Sequence, residues 1–199
     1  MKSYRPTTPS RRQMTTPPFK ELLSGDKPLK ALTIRLKSHA GRNHRGVITV
    51  RHQGGGVKKR YRIVDFTYQK LNVPARVEAI EYDPYRTAFI ARLIYRDGER
   101  RYVIANKGMK TGDEIISSAS APVKSGNRMM LKNVPVGTFV SNIEVRPGGG
   151  GKLARAAGSY AEVVAQEGET TILKMASKEV RKMRSLGFVT IGQMSNPDW

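Results

Sequence analysis

Apolar and polar residues alternate in several short segments of the chain, and a period of two is typical of β-strands. The clearest case is AFIARLIYRDGERRYVIA, in which Phe89, Ala91, Leu93 and Tyr95 share one face before an Asp-Gly pair. This pattern predicts a β-hairpin with a two-residue primed turn. Other predicted strands lie in VITVR, YRIVDF, ARVEAIEYDP, residues 114–117, TFVSNIEV, SYAEVVA, TTILKM and KEVRKM.

Helical periodicity is weak, because no segment sustains it over three turns. One short helix is predicted in TTPPFKELLSG, where Thr16 is placed to cap, Pro17 suits the first turn and Gly25 ends the helix. Many short strands at this spacing favour small barrels. The predicted fold class is therefore all-β.

Composition divides the chain into three parts. Pro, Thr and basic residues dominate the start, and small residues cluster in SSASAPVKSGN, where we place a domain boundary. We predict an extended basic N-terminal arm over residues 1–37, followed by two small barrels over residues 38–118 and 119–199.

The charge of the chain points to an anionic partner. Lys and Arg number 36 against 16 Asp and Glu, which gives a net charge of +20. Residues 1–62 alone hold sixteen Lys or Arg and only two acids, Glu21 and Asp26. So one-sided a charge favours a polyanion such as a nucleic acid. The chain has no cysteine, and no apolar run approaches the roughly 18 residues of a membrane-spanning helix.

The most basic stretch is SHAGRNHRGVITVRHQGGGVKKRYR, which contains no carboxylate. Its three glycines, Gly54, Gly55 and Gly56, leave backbone N–H groups open to a phosphate chain, while Arg51 and the basic run 58–60 neutralise the charge. The alternative is a flexible hairpin tip whose charges are merely solvated.

A second glycine run lies in EVRPGGGGKLARAAGSYAEVV. Here Gly148–Gly151 separate Arg146 from Lys152, and Arg155 follows. Four glycines in a row are costly to order, so we interpret them as a surface that lies flat on RNA. The alternative is a floppy loop between strands. The run lacks the G-x-x-x-x-G-K-[ST] pattern of a nucleotide-binding loop.

Arg86 lies just after a turn in YDPYRTAFIA and is interpreted as a phosphate contact or as a merely exposed side chain. Four tyrosines could in principle stack on bases as in single-strand binders. Their alternation favours packing against the core instead; they are Tyr61, Tyr82, Tyr85 and Tyr95.

No catalytic or metal site is predicted. His39, His44 and His52 lie in the basic stretch without a nearby acid, so phosphate or ribose is a better partner for them than a metal ion. No serine lies in a G-x-S-x-G elbow, and the acids are not clustered. We therefore expect no enzyme activity, no cofactor and no small-molecule substrate.

Three long blocks together resemble bacterial-type large-subunit ribosomal protein two: GRNHRGVITVRHQGGGVKKRYRIVDF, AIEYDPYRTAFIARLIYRDGERRYVIA and NVPVGTFVSNIEVRPGGGGKLARAAGSYAEVV. The similarity runs from about Gly41 to Met183. It implies an OB-like barrel followed by an SH3-like barrel. It also implies large-subunit ribosomal RNA and other ribosomal proteins as partners, and a role in subunit assembly, subunit association and the peptidyl transferase region.

The resemblance also implies which residues contact RNA. With Arg146 added from the second glycine run, the RNA-binding candidates are Arg42, Arg45, Arg51, His52, Gly54, Gly55, Gly56, Lys58, Lys59, Arg60, Arg86, Arg146, Gly148, Gly149, Gly150, Gly151, Lys152 and Arg155. The expected location is the ribosome, in the cytoplasm or in an organelle.

Members of this family usually continue into a basic, glycine-rich tail with a histidine near the catalytic centre, whereas this sequence ends at SNPDW. We expect a fragment, a split gene or a truncation. The alternative function is a translation or transcription factor outside the ribosome that binds RNA through the same small barrels.

Overall fold

The computed structural model describes residues 1–199, and nearly all of its regular structure is β-strand. The predicted all-β class is confirmed, and the curled sheets are consistent with an OB-like barrel followed by an SH3-like barrel. The single α-helix has four residues, so no helix here is long and apolar enough to cross a bilayer.

The first 62 residues contain only short elements. The predicted helix is present but begins later than expected, because Pro18 occupies the N-cap and Thr16 pairs with Lys2 instead. The elements are β1 (Lys2–Ser3), β2 (Thr15–Thr16), α1 (Phe19–Leu22), β3 (Thr33–Ile34) and β4 (Tyr61–Arg62), with 3-10 turns at Pro9–Arg11 and Lys30–Leu32.

The predicted arm is not free along its whole length. Between Phe19 and Ile34 it packs on the first barrel: the Leu29 N–H donates to the Tyr102 hydroxyl at 2.9 Å, and the Ile80 N–H donates to Ser24 Oγ at 2.9 Å. Apolar side chains of the segment also cover the barrel core. The extended arm over residues 1–37 stays a prediction, and its apolar residues dock part of it on the first barrel.

The first barrel is an antiparallel sheet in the order β7-β6-β5-β8. A bulge at Glu78 shifts the register between β5 and β6 and helps to bend the sheet. The YRIVDF segment yields only the two residues of β4, followed by a bridge from Val64 to Tyr102. The strands are β5 (Ala75–Glu81), β6 (Ile90–Tyr95), β7 (Arg100–Ile104) and β8 (Glu114–Ile115).

The β6–β7 hairpin was predicted with the right strands but the wrong turn. The Tyr95 N–H donates to the Glu99 carbonyl at 3.0 Å, and the Gly98 N–H donates to the Tyr95 carbonyl at 2.9 Å. Gly98 has φ +81°, whereas Asp97 does not have a positive φ. The loop is therefore a three-residue type I turn with a glycine bulge rather than a two-residue primed turn.

The second barrel is a six-stranded antiparallel sheet in the order β15-β14-β13-β10-β16-β9, with β11 and β12 forming a separate pair. Its core is a closed cluster of twelve buried side chains. The strands are β9 (Arg128–Met130), β10 (Phe139–Ser141), β11 (Ile143–Glu144), β12 (Gly151–Leu153), β13 (Ala161–Glu167), β14 (Thr170–Met175), β15 (Val180–Arg184) and β16 (Phe188–Ile191). A 3-10 turn at Leu131–Asn133 links β9 to β10.

Residues 193–196, which we call the strap, leave the second barrel and lie on the first. The Lys107 N–H donates to the Gln193 carbonyl at 2.8 Å, and the Ser195 N–H donates to the Ala105 carbonyl at 3.0 Å. Met194 is fully buried against Ile90, Tyr102 and Ile104 of the first barrel. The division at residues 118 and 119 stays a prediction, and the strap crosses it.

We predict that acid destabilises the fold partly through Asp65. Burial alone would raise the pKa of Asp65, but hydrogen bonds from Arg101, Thr67 and Tyr68 outweigh it and hold the pKa below its ordinary value. The unfolded chain then binds more protons as the pH falls through about 4, so the free energy of unfolding falls with it. Denaturant unfolding of Asp65→Asn at several pH values should show a shallower loss than wild type.

Asp198→Asn is the matched control for this experiment, because Asp198 is exposed and forms no ion pair. An acid slope that is the same in Asp65→Asn as in wild type would contradict the assignment.

Candidate nucleic-acid interface

The charge of residues 1–62 is not neutralised within the molecule. No Lys or Arg in this range forms a salt bridge, because every ion pair uses a cation between Lys70 and Lys182. Even Asp26, one of the two acids in the range, pairs with Arg92 of the first barrel. Fifteen of the sixteen cations are exposed and available to an external anion, whereas Arg62 is half-buried.

The first basic loop, residues 39–53, is held by hydrogen bonds within the loop, from backbone groups and from the Asn43 side chain. Asn43 Oδ1 accepts hydrogen bonds from the N–H groups of Arg45 at 2.9 Å and Val47 at 3.1 Å. Gly41 lies so close to Val50 that a Cβ there would stand 2.1 Å from the Val50 carbonyl oxygen. The predicted contacts in this loop are all exposed: Arg42, Arg45, Arg51 and His52.

The predicted VITVR strand does not form. Only an isolated bridge joins Arg42 to Ile48, and the side chains of Val47, Ile48 and Val50 are more than half exposed. The loop therefore offers apolar side chains beside its cations, and nothing else in the chain covers them.

The first glycine run forms one wall of a basic groove. Residues 55–60 face residues 33–38 across an open cavity of 1090 Å³. Gly54, Gly55 and Gly56 all have positive φ, and no atom lies near Gly55 or Gly56 to fill the space of a side chain. The groove brings together the predicted contacts Lys58, Lys59 and Arg60 with two cations that were not predicted, Lys30 and Arg35.

The second glycine run divides into two halves. Gly148 and Gly149 are exposed, as predicted, but Gly150 and Gly151 are buried. The Gly151 N–H donates to the Phe66 carbonyl of the first barrel at 2.9 Å, and a Cβ on Gly151 would stand 1.9 Å from Asn142 Oδ1. The RNA-facing role of these last two glycines stays a prediction, and in this structure their bare backbone serves contact between the barrels.

Arg86 and Arg155 converge on one ring from opposite barrels. Their guanidinium carbons lie 5.4 Å and 4.6 Å from the centroid of Phe66, which lines a cleft of 520 Å³ with both arginines. Arg86 also pairs with the buried Asp83 and donates to the Tyr61 hydroxyl at 3.0 Å. Arg86 is thus not the free cation that the sequence suggested, whereas Arg155 is exposed and bonds only to the Gly151 carbonyl.

A buried ion pair anchors the exposed half of the second glycine run. Arg128 Nη2 donates to Glu144 Oε1 at 2.8 Å, and Glu144 Oε2 accepts from the Gly148 N–H at 3.0 Å. Sequence reasoning missed both residues. An isolated Arg at the start of a strand carries no local sign of burial, so only the neighbouring glycines could have drawn attention to Glu144.

The tyrosines divide by position. Tyr95 is buried, as expected, and burial raises its pKa to about 12. Tyr82 and Tyr85 are each 43% exposed, so packing does not account for the whole of either ring. Among the histidines and acids, no three side chains gather closely enough to hold a metal ion.

Two predicted contacts, Arg146 and Lys152, flank the second glycine run. Arg146 and Lys152 are exposed at the two ends of the second glycine run, and neither forms a salt bridge. Predicted contacts thus gather in three places: the first basic loop, the basic groove, and the second glycine run beside the inter-barrel cleft.

Two family models match the chain. The family described as Ribosomal Proteins L2, RNA binding N-terminal domain, matches residues 29–117. The family described as Ribosomal Proteins L2, C-terminal domain, matches residues 124–199. Together the two matches cover more than four fifths of the chain, which therefore belongs to the ribosomal protein L2 family.

Proposed function

We propose that this protein is a structural constituent of the large ribosomal subunit that binds ribosomal RNA and supports subunit assembly, subunit association and the peptidyl transferase region. The observation that carries the proposal is the absence of any salt bridge for the sixteen cations of residues 1–62. In an isolated protein these positive charges repel one another, and the phosphates of a bound RNA reduce the electrostatic repulsion.

Recognition rests on the shape of the RNA. Exposed Lys and Arg side chains contact phosphates, and bare glycine backbone lets the RNA strand approach. We assign direct phosphate contact to the exposed cations and the exposed glycines, with His52 beside them: Arg42, Arg45, Arg51, His52, Gly54, Gly55, Gly56, Lys58, Lys59, Arg60, Arg146, Gly148, Gly149, Lys152 and Arg155.

Arg86 takes a different role in this proposal. Its ion pair with Asp83 and its bond to Tyr61 fix the guanidinium on the wall of the inter-barrel cleft. A held arginine presents its remaining N–H groups in a set direction, which suits one phosphate at the mouth of the cleft.

The partners are ribosomal RNA and other ribosomal proteins, and the proposed site of action is the cytoplasmic ribosome, with an organellar ribosome as the alternative. The role is architectural, with no reaction catalysed. Sedimentation of cell extracts tests this directly: we expect the protein with large subunits, whereas a pool confined to the free fraction would favour a factor outside the ribosome.

We predict a steep salt dependence of RNA binding. The slope of log affinity against log salt concentration becomes more negative by roughly 0.7 to 0.9 for each phosphate contact, so the ten Lys and Arg contacts proposed above give a slope of about −7 to −9. Filter binding or fluorescence anisotropy with a large-subunit ribosomal RNA fragment, over several potassium concentrations, measures this slope. An affinity that stays flat between low and moderate salt would overturn the proposed mechanism.

A further inference from the structure

Arg128 and Glu144 form an ion pair in the interior of the second barrel. Their side chains are 1% and 2% exposed, and the two charged groups lie 2.8 Å apart. Removing both ions from water costs about as much as their attraction returns, so such a pair adds little to stability compared with apolar residues of the same size. Its contacts point to another role.

The carboxylate of Glu144 is fully used. Oε1 accepts from Arg128, while Oε2 accepts from the N–H groups of Gly148 at 3.0 Å and Phe188 at 3.2 Å. Gly148 begins the exposed half of the second glycine run, two residues after Arg146. The carboxylate therefore fixes the point at which the run leaves the barrel.

The guanidinium of Arg128 reaches the first barrel. Its carbon lies 4.8 Å from the centroid of Tyr68, which belongs to the first-barrel core, and Nη1 donates to the Asn142 carbonyl at 2.9 Å. The far end of the glycine run is tied to the first barrel as well, through the bond from Gly151 to Phe66. The run is thus held at both ends by groups that also join the barrels.

We propose that Arg128 and Glu144 are positioning residues for RNA binding, a proposal that rests on the function proposed above. Neither side chain is exposed to a partner. The pair fixes the position of Gly148 relative to the inter-barrel cleft. Arg146, Lys152 and Arg155 therefore contact the RNA in one fixed arrangement.

Glu144→Gln tests the proposal because a charge effect and a positioning effect would change the affinity for RNA in opposite directions. By charge alone, removing a carboxylate strengthens the binding of a protein to RNA. The amide, however, turns an NH2 group toward Arg128 or toward the N–H groups of Gly148 and Phe188, so we expect binding to a large-subunit ribosomal RNA fragment to weaken about tenfold. Anisotropy titration of the full chain at fixed salt measures this.

The matched control is Glu179→Gln. Glu179 lies just before β15 and pairs with Arg181 of β15 at 2.9 Å, but both side chains are about half exposed. This variant removes the same charge without touching the glycine run, and we expect its affinity to stay within about twofold of wild type or to rise.

A second variant separates positioning from folding. Arg128→Met with Glu144→Leu fills the same space with apolar groups and avoids an unpaired buried charge. We expect a folded protein that unfolds at a somewhat lower temperature than wild type, because the Asn142 carbonyl and the Phe188 N–H lose their partners. We expect RNA binding about tenfold weaker, because Gly148 loses its acceptor.

The outcomes are distinct. If the wild-type protein fails to bind the RNA, the proposed function itself is contradicted. Wild-type protein that binds, together with folded variants that bind within about twofold of it, would overturn only the positioning role. If neither variant folds, the pair is a determinant of the fold and the positioning proposal is wrong.

Discussion

Met194→Ala should lower the free energy of unfolding by about 2–5 kcal/mol, because it removes a large, fully buried side chain and leaves a cavity in the core. Met194 is fully buried among Ile90, Tyr102 and Ile104, although it belongs to the strap and follows the last strand of the second barrel. Guanidinium or urea unfolding followed by circular dichroism measures the change.

Met14→Ala is the control for this substitution. Met14 is 41% exposed and lies outside every core cluster, so its loss should change the free energy of unfolding by less than about 0.5 kcal/mol. Equal effects of the two substitutions would mean that the strap does not hold the first barrel together.

The triple change Lys58→Ala, Lys59→Ala and Arg60→Ala should weaken RNA binding about a hundredfold. It should also make the slope of log affinity against log salt concentration less steep by about 2. All three side chains line the basic groove, are exposed and form no ion pair within the molecule. Their removal therefore takes away phosphate contacts without disturbing a core. Anisotropy titrations at several salt concentrations measure both quantities.

An equally large loss of charge elsewhere provides the comparison. Arg181→Ala, Lys182→Ala and Arg184→Ala remove three exposed cations from β15, two of which are paired with Glu179 and Glu167. We expect a smaller loss of affinity and a smaller change of slope. Equal losses from the two triple variants would show that net charge, rather than the groove, controls binding.

Alternation of apolar residues was enough to place most strands. Phe89, Ala91, Leu93 and Tyr95 face one core, as predicted. The Asp-Gly turn between β6 and β7 was harder, because the same dipeptide suits a two-residue primed turn and a three-residue loop with a glycine bulge. The choice depends on the strand register, and register is a property of the paired sheet.

The VITVR segment shows the limit of such reasoning. Its residues have strong strand propensity, yet they lie exposed in the first basic loop. Propensity describes how well a side chain fits a half-buried pleated surface, and here the chain supplies no such surface. A sequence shows the apolar residues but not whether a partner strand will reach them.

The second glycine run shows a similar limit of sequence reasoning. Gly148 and Gly151 look alike in sequence, but Gly148 faces solvent whereas Gly151 faces Asn142 and Phe66. A close approach to RNA and a close approach to the chain's own backbone both demand the absence of a Cβ. Only the packing of the two barrels shows which glycine lies against the chain's own backbone and which stays open to RNA.

The strap has a consequence for how the polypeptide matures on the ribosome that makes it. Asn196 donates to the Thr87 carbonyl from 109 positions away, and Met194 completes an apolar cluster whose other members were synthesised long before. Contacts of such large sequence separation form slowly, because the intervening chain must first be closed into a loop. In a nascent chain halted before the strap emerges, the apolar cluster of the first barrel would lack Met194. Its uncovered apolar surface would be accessible to chaperones until translation resumes.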